Sequence, residues 1–472
     1  MATKSLTTKS LTARRQADDR AGSYDWGLIT VVTTLLFFGL VIVFSASFAI
    51  GLEMDSPYYF AGRQLMYMTL GVVVMVVLAR IPYTVWRTWA IPIMAVTLLL
   101  LLAVLIFGTD THNARRTFFG GRIQPGEAAK LGVVIYAAAW LTSKGDRIRR
   151  VQVGLLPFSF LLGIVGMLLY FQPSLSTAIL IIATAFIMFF IAGAAIHQLF
   201  IILAGGIATF WLVFEYSPLA AHARSRIDLY IQAIWNPLES DQWQVWQAIQ
   251  ALMRGGAFGT GVGEGIAKLP GYLPFTWQDN IFALIGEEMG LMGALFIVLL
   301  FTLFAYFGLR TALRAPDNFG AILATGITTL ITLQAVLHMA VTVSITPPTG
   351  QPLPLISYGG SSLVTMLAAV GILLSISRGL TTAPAAASAA TDSTGRQTVS
   401  GKTQHARFDF GWRDWGSRLS GTGSRRTFDS TAPTSTFGTT GTTRSGYAGR
   451  QPRAAQGFIA RIFGQRRPTR RK

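Results

Sequence analysis

The chain has 472 residues, of which 51% are hydrophobic and only 13% are charged, and its formal net charge is +18. That balance is typical of a membrane protein rather than of a soluble domain. The chain has no cysteine, which excludes disulfides, thiolate catalysis and cysteine-ligated metals.

Ten apolar runs predict an all-α polytopic membrane protein with ten transmembrane helices, because a span needs about 20 mostly apolar residues. The first run follows a polar segment, 1–25, in which we expect no cleavable signal peptide. The runs lie at 26–50, 65–79, 89–107, 128–141, 153–171, 175–196, 199–214, 281–309, 321–345 and 363–376.

Basic residues predict the orientation of these helices, since they concentrate on the cytoplasmic side of membrane proteins. They recur in the N-terminal segment, in alternate loops and after the last run, which places both termini in the cytoplasm. The predicted regions are a cytoplasmic N-terminal tail (1–25), a ten-helix membrane domain (26–378) and a cytoplasmic tail (379–472). The largest predicted outer loop, 215–280, joins helices 7 and 8.

The C-terminal tail is strongly basic. It holds 16 Lys or Arg against four Asp and is rich in Ser, Thr and Gly. This composition predicts disorder. Because the tail is tethered to a membrane, we expect its charge to attract anionic lipid headgroups of the bilayer rather than nucleic acid.

The predicted outer loops also contain basic residues, against the usual bias of charge. A cationic outer vestibule suits an anionic substrate, such as a phosphate or pyrophosphate at headgroup depth. The alternative is that these residues pair with outer carboxylates or lipid phosphates. The residues are Arg115, Arg116, Arg122, Lys130, Arg224, Arg226, Arg254 and Lys268.

Two features mark the long outer loop. Trp243, Trp246, Ile249 and Leu252 recur at helical spacing, which predicts an amphipathic helix at the membrane interface. The glycine-rich segment 255–265 follows, and we expect it to bring backbone close to substrate or to another helix.

A second irregular segment, 347–362, lies between the last two apolar runs and is rich in proline and glycine. Within a bilayer, non-helical backbone is tolerated only where protein or a watery cavity covers it. The segment is therefore predicted to line a cavity at the membrane surface, the alternative being a simple connector. It ends with Ser357, Tyr358, Gly359, Gly360, Ser361 and Ser362.

Carboxylates near the predicted spans are candidates for chemistry, because ionisable groups there tend to be functional or paired. Glu127 and Lys130 share one helical face and are either functional residues or an ion pair that anchors their helix. Asp279 precedes the eighth run and is either a reactive carboxylate at the outer boundary or the N-cap of that helix. Glu287 and Glu288 are adjacent, so we expect at most one to face a shared site.

Motifs spread in order over 25–378 resemble the SEDS family (shape, elongation, division and sporulation), in its FtsW/RodA group. The most specific motif is TGQPLPLISYGGSS at 349–362. The motifs are closer to the FtsW branch, which serves division, than to the RodA branch, which serves elongation. The other matching segments are 114–116, 124–130, 172–173, 255–259, 269–274, 279–282 and 285–288.

The resemblance implies an inverting glycosyltransferase that polymerises lipid II into peptidoglycan glycan strands. The site is expected on the outer face of the bacterial cytoplasmic membrane, at the division septum. Asp279 would accept the proton of the acceptor sugar 4-hydroxyl while undecaprenyl pyrophosphate leaves. A divalent cation, Mg or Mn, is compatible with that leaving group, and no metal ligand is assigned.

The resemblance also implies partners and binding residues. The expected partners are a class B penicillin-binding protein, which is a transpeptidase, and other divisome or elongasome membrane proteins. The expected substrate-binding residues are Arg115, Arg116, Glu127, Lys130, Arg224, Arg226, Lys268, Ser357, Tyr358, Gly359, Gly360, Ser361 and Ser362.

The chain departs from the family pattern near Asp279, where Trp277 and Gln278 replace the usual His-Thr, and at His338, which replaces an Asn. Asp279 therefore keeps its position in the motif while its neighbours differ. The alternatives are an elongation polymerase of the RodA type, a lipid II flippase, and a scaffold without catalysis. Interior charge weighted towards the outer side favours the enzyme over the flippase, and a scaffold predicts that Asp279 is dispensable.

Overall fold

A computed structural model describes residues 24–379 except 112–113, 119–122, 217–223, 226, 229 and 232–242. The described residues belong to one compact unit. Both predicted tails, 1–25 and 379–472, lie almost entirely outside the described residues. The main helices are α1 (Trp26–Glu53), α2 (Tyr59–Arg80), α3 (Thr84–Phe107), α4 (Pro125–Lys144), α5 (Leu156–Phe171), α6 (Leu175–Ile191), α7 (Ile196–Tyr216), α8 (Trp243–Gly255), α9 (Ile281–Arg314), α10 (Asn318–Thr342) and α11 (Gly360–Gly379).

The predicted all-α membrane fold is confirmed, and each of the ten apolar runs coincides with a helix. Eight described helices are long and apolar enough to cross a membrane, where α5 is counted with the π-helical turn Val151–Leu155 that precedes it. The helix α6 is apolar but has 17 residues, and α4 has 20 residues with two charges near its start. The number of crossings and their orientation therefore remain predictions.

The sixth run ends earlier than predicted. The helix α6 stops at Ile191, whereas the apolar run continues to 196. Gly193 takes a φ of +90°, a left-handed conformation that suits glycine and turns the chain into α7.

A short antiparallel ribbon, which we did not predict, follows α3. It consists of β1 (Thr109–Thr111) and β2 (Ala114–Thr117), with Thr109 paired to Thr117. The predicted binding residues Arg115 and Arg116 lie on β2, where the structure describes the backbone but not their side chains.

The core lies between the long helices. The helix α11 packs along α2, α9 along α10, and α3 along α4. The helices α10 and α11 are the most buried of the candidate spans, whereas α7 is almost entirely exposed. The largest fully buried apolar side chains are Phe158, Phe189, Phe304 and Phe319.

The helix α9 is broken at Gly290, where φ is +67° and ψ is −165°. The glycine-rich segment after α8 packs on this break, and Leu291 N donates to Gly256 O at 2.9 Å. A Cβ on Gly255 would stand 1.8 Å from the carbonyl oxygen of Gly286. The close approach predicted for this segment is confirmed, with a helix as the neighbour.

Candidate active site

A polar cavity of about 260 Å³ lies between the irregular segment 349–362 and the turn that precedes α9. Seven predicted site residues line it, which supports the cavity over the simple connector. They are Glu127, Asp279, Tyr358, Gly359, Gly360, Ser361 and Ser362.

Asp279 sits in a tight turn at the start of α9. The backbone nitrogens of Gln278 and Asp279 both donate to Phe275 O at 3.0 Å. The N-cap position is taken by Asn280, so the structure does not support the alternative that Asp279 caps the helix. Asp279 is half-buried, and its Oδ2 lies 3.8 Å from the point that a Cβ on Gly350 would occupy. The missing side chain at Gly350 therefore leaves room beside the carboxylate.

The turn that holds Asp279 is fastened to the irregular segment by Ser357. The Ser357 hydroxyl donates to Gln278 O at 2.7 Å and accepts from Leu353 N at 2.9 Å. Tyr358 N also donates to Trp277 O at 2.9 Å. Ser357 is buried and its side chain bonds backbone groups, so its contacts are those of a positioning residue.

Lys130 is fully buried next to the cavity and holds three side chains together. Its Nζ donates to Glu127 Oε1 at 2.7 Å, to Gln334 Oε1 at 2.8 Å and to Gln351 Oε1 at 2.9 Å. Gln351 Nε2 then donates to Thr177 Oγ1 at 3.1 Å. The ion pair that the sequence analysis left open for Glu127 and Lys130 is present, and the bond from Lys130 to Gln351 connects α4 to the irregular segment.

The second oxygen of Glu127 has no hydrogen-bond donor among the described residues, and Glu127 lines the cavity. A buried carboxylate oxygen is expensive to leave unsatisfied. This oxygen is therefore suited to accept a hydrogen bond from a group bound in the cavity. The ring of His338, in contrast, forms its described hydrogen bond with backbone, with Nδ1 2.8 Å from Gln351 O.

Arg63, near the start of α2, brings a cation into the cavity that the sequence analysis missed. Its guanidinium lies 4.6 Å from the ring centre of Tyr59 and hydrogen bonds to Tyr358. Burial raises the pKa of the Tyr358 phenol, and the hydrogen bond from Arg63 opposes that effect. The available signal was a basic residue at a predicted outer helix end.

Three of the predicted binding cations do not line the cavity, namely Lys130, Lys268 and Arg224. Lys268 Nζ pairs with Glu288 Oε1 at 2.9 Å, and Arg224 Nη1 donates to Glu215 O at 3.0 Å. Arg254, another outer cation, pairs with Glu287 Oε1 at 2.7 Å. The pairing with outer carboxylates, left open above, thus holds for Lys268 and Arg254. Arg226 and Arg122 lie outside the described residues.

Metal binding has limited support in the described part of the chain. No group of three or more His, Asp or Glu there is placed to hold a metal ion. A divalent cation in the cavity would meet two carboxylates, Glu127 and Asp279. The chemistry of those donors suits Mg or Mn.

Comparison with known proteins gives a consistent family. The family model described as Cell cycle protein (FTSW_RODA_SPOVE) matches residues 25–382. A "Probable peptidoglycan glycosyltransferase FtsW" of Trichlorobacter lovleyi is 39% identical over 373 residues, which are 77% of this chain and 96% of the relative. The stage V sporulation protein E of Bacillus subtilis is 36% identical over 362 residues, which are 75% and 97% of the two chains.

Solved structures share the fold. A chain of a peptidoglycan synthase complex, solved to explain how that complex coordinates polymerization and crosslinking, superposes with a TM-score of 0.62. It is 28% identical and the match covers 76% of this chain and 98% of that one. The rod shape determining protein RodA of Thermus thermophilus gives a TM-score of 0.56 at 25% identity, covering 75% and 97%.

Fold and cavity together define a multi-pass membrane protein with a polar, carboxylate-lined cavity inside a helical bundle. The chain belongs to the FtsW/RodA/SpoVE family of cell cycle proteins, as the motifs indicated.

Proposed function

We propose that this protein is a peptidoglycan glycosyltransferase that polymerises lipid II on the outer face of the cytoplasmic membrane. The observation that carries the proposal is the placement of the half-buried Asp279 in a polar cavity that Arg63 and the N-terminal end of α11 also line. Relatives named as glycosyltransferases, at 32% to 39% identity, support the same activity.

The proposed chemistry uses Asp279 as a general base. The carboxylate accepts the proton of the acceptor sugar 4-hydroxyl while that oxygen attacks the anomeric carbon of the donor. The bond from the anomeric carbon to undecaprenyl pyrophosphate breaks, and the configuration inverts. One base is sufficient because no covalent glycosyl intermediate is formed.

The leaving pyrophosphate gains negative charge as this bond breaks. Arg63 supplies a guanidinium in the same cavity, and Gly359–Ser362 bring the N-terminal backbone of α11 to it. Backbone N–H groups at a helix start and an arginine are well suited to phosphate oxygens. Arg63 thus takes the role that the sequence analysis gave to Lys268 and Arg224, whereas Arg115, Arg116 and Arg226 stay predicted binding residues.

Glu127, Lys130 and Gln351 have a supporting role in this proposal. Lys130 holds Gln351 and Glu127, and the free oxygen of Glu127 accepts a hydroxyl or amide N–H of the bound sugar. Because these hydrogen bonds fix the side chains, the bound sugar is held in the position that the reaction requires.

The partner is proposed to be a class B penicillin-binding protein, and the site of action the division septum. The synthase complex with a similar chain, described for polymerization and crosslinking, supports the first point. The naming of the relatives as FtsW supports the second. A fluorescent fusion at midcell would agree with a septal role, whereas a sidewall pattern would indicate elongation.

The test is glycan-strand synthesis from purified lipid II in liposomes that contain this protein and its class B partner. The proposal predicts long glycan strands on a gel. Lipid II that crosses the bilayer without forming polymer would favour a flippase. Neither activity, in an assay that a known synthase passes, would favour a scaffold.

A further inference from the structure

A second charged cluster lies outside the cavity and is buried. It joins Ser45 on α1, Lys268 in the segment 256–280 between α8 and α9 (hereafter the outer segment), and the adjacent Glu287 and Glu288 on α9. All four residues are buried. Taking ionised groups out of water is expensive, so such a cluster persists only when its geometry is well satisfied.

Glu288 links three parts of the chain. It accepts from the Ser45 hydroxyl at 2.6 Å and from Lys268 Nζ at 2.9 Å. Lys268 Nζ also donates to Ser45 Oγ at 3.1 Å and to the carbonyl oxygen of Gly263. The hydroxyl of Ser45 therefore donates to the carboxylate and accepts from the ammonium, which closes a three-membered network.

Glu287 holds the same outer segment at a second point. Its Oε2 accepts from Ala267 N at 2.9 Å, and its Oε1 accepts from Arg254 Nε at 2.7 Å. The backbone takes part as well: Thr260 N donates to Glu287 O at 2.9 Å, and Gly261 N to Glu288 O at 3.0 Å. Both glutamates thus bind the outer segment through side chain and main chain, next to the break at Gly290.

The outer segment continues directly to Asp279. Leu273 N donates to Ala267 O at 3.1 Å, and the buried Leu273 packs with Ala46 and Leu284 in a small apolar cluster. Asn280 Nδ2 then donates to Pro274 O at 2.8 Å, within the turn that carries Asp279. The chain from Ala267 to Asp279 is therefore held at one end by the two glutamates and at the other by the start of α9.

The geometry points to Lys268 and Glu288 as positioning residues for Asp279. With Ser45 they form a strut that fixes where the segment 267–280 begins, and so where the carboxylate of Asp279 stands in the cavity. This inference rests on the proposed function for its effect on catalysis. It assigns to Lys268 a role other than substrate binding.

The strut has a consequence for turnover. A misplacement of about 1 Å at a reacting group lowers a rate on the order of 100-fold. Lys268→Met is therefore expected to lower kcat at least about 10-fold while the KM for lipid II changes little, since the cavity lining itself is intact. Lys268→Arg keeps the cation and is expected to retain most of the activity. The control is Arg310→Met, which removes the ion pair to Asp25 outside this cluster and is expected to leave kcat unchanged.

Stability and positioning are separated by the double variant Lys268→Met/Glu288→Gln. Lys268→Met alone leaves Glu288 buried without its cation and should lower Tm. The double variant removes both charges, so its Tm should lie closer to that of the wild type. The strut predicts that kcat stays low in this variant. Recovery of kcat together with Tm would reduce the pair to a stabilising contact and overturn the inference.

A readout without catalysis is available because the chain has no cysteine. In the variant Asp279→Cys, the rate of reaction with a membrane-impermeant maleimide reports how position 279 is presented. Adding Lys268→Met/Glu288→Gln is expected to change that rate several-fold, and adding Arg310→Met is not. An unchanged rate in both would contradict the strut. If the wild-type protein made no polymer, the proposed function would fail while this labelling result could still be read.

Discussion

The ammonium nitrogen of Lys130 lies 2.9 Å from the amide oxygen of Gln351, a residue 221 positions further along the chain. This contact fastens the irregular segment after α10 to the buried face of α4. Through Gln351 the same lysine reaches Thr177 at the start of α6. The ammonium group of Lys130 therefore positions α4, α6 and the irregular segment, which all line the cavity that contains Asp279.

Removing that cation should destabilise the protein. Lys130→Met leaves the Glu127 carboxylate buried without its partner, and breaking a buried ion pair from one side costs roughly 3–5 kcal/mol. We expect a clear fall in Tm, measured in detergent by the loss of the monodisperse peak after heating. The control is Lys144→Met, which removes a partly exposed cation at the other end of α4. Equal Tm values for the two variants would refute this role of Lys130.

Gln351→Leu should affect activity more than folding. The leucine fills a similar volume but removes the acceptor for Lys130 and the donor for Thr177. We expect polymer synthesis to fall at least about 10-fold, because the segment beside Asp279 loses its anchor. The matched control is Gln198→Leu, a buried glutamine at the start of α7 that does not line the cavity. Similar rates for the two variants would contradict the anchoring role.

Two glycines of the outer segment allow a test of the close packing on α9. Gly259 and Gly263 both have positive φ, +84° and +95°, so an alanine strains the backbone at each. A Cβ on Gly259 would stand 2.2 Å from Glu288 O, whereas one on Gly263 would meet nothing within 4 Å. Gly259→Ala should therefore lower Tm much more than Gly263→Ala. Equal losses would mean that strain alone, and not the contact with α9, explains the glycine at 259.

The helices could be predicted from the sequence because their length and apolarity are properties of single segments. The break at Gly290 could not, since the apolar run is continuous across it and the partner that satisfies it lies on another segment. The ribbon after α3 was missed for a similar reason: two strands of three and four residues carry too little pattern.

The candidate site was predictable in part. The proline- and glycine-rich segment indicated a cavity, because irregular backbone in a membrane protein must be covered, and the sequence placed Asp279 at the predicted outer boundary. The partners of Lys130, namely Gln334 and Gln351, and the pairing of Lys268 with Glu288 depend on contacts across 20 to 221 residues. Spacing along the chain cannot show which of several cations faces a cavity and which faces a carboxylate, so Arg63 was missed.

The measurement that tests the central claim most directly is polymer synthesis by Asp279→Asn beside the wild type, with lipid II and the class B partner. The substitution keeps the shape of the side chain and removes its ability to accept a proton. We predict that the wild type makes glycan strands and that the variant, with an unchanged Tm and elution profile, makes none. Equal amounts of polymer from the two proteins would contradict the assignment of Asp279 as the base.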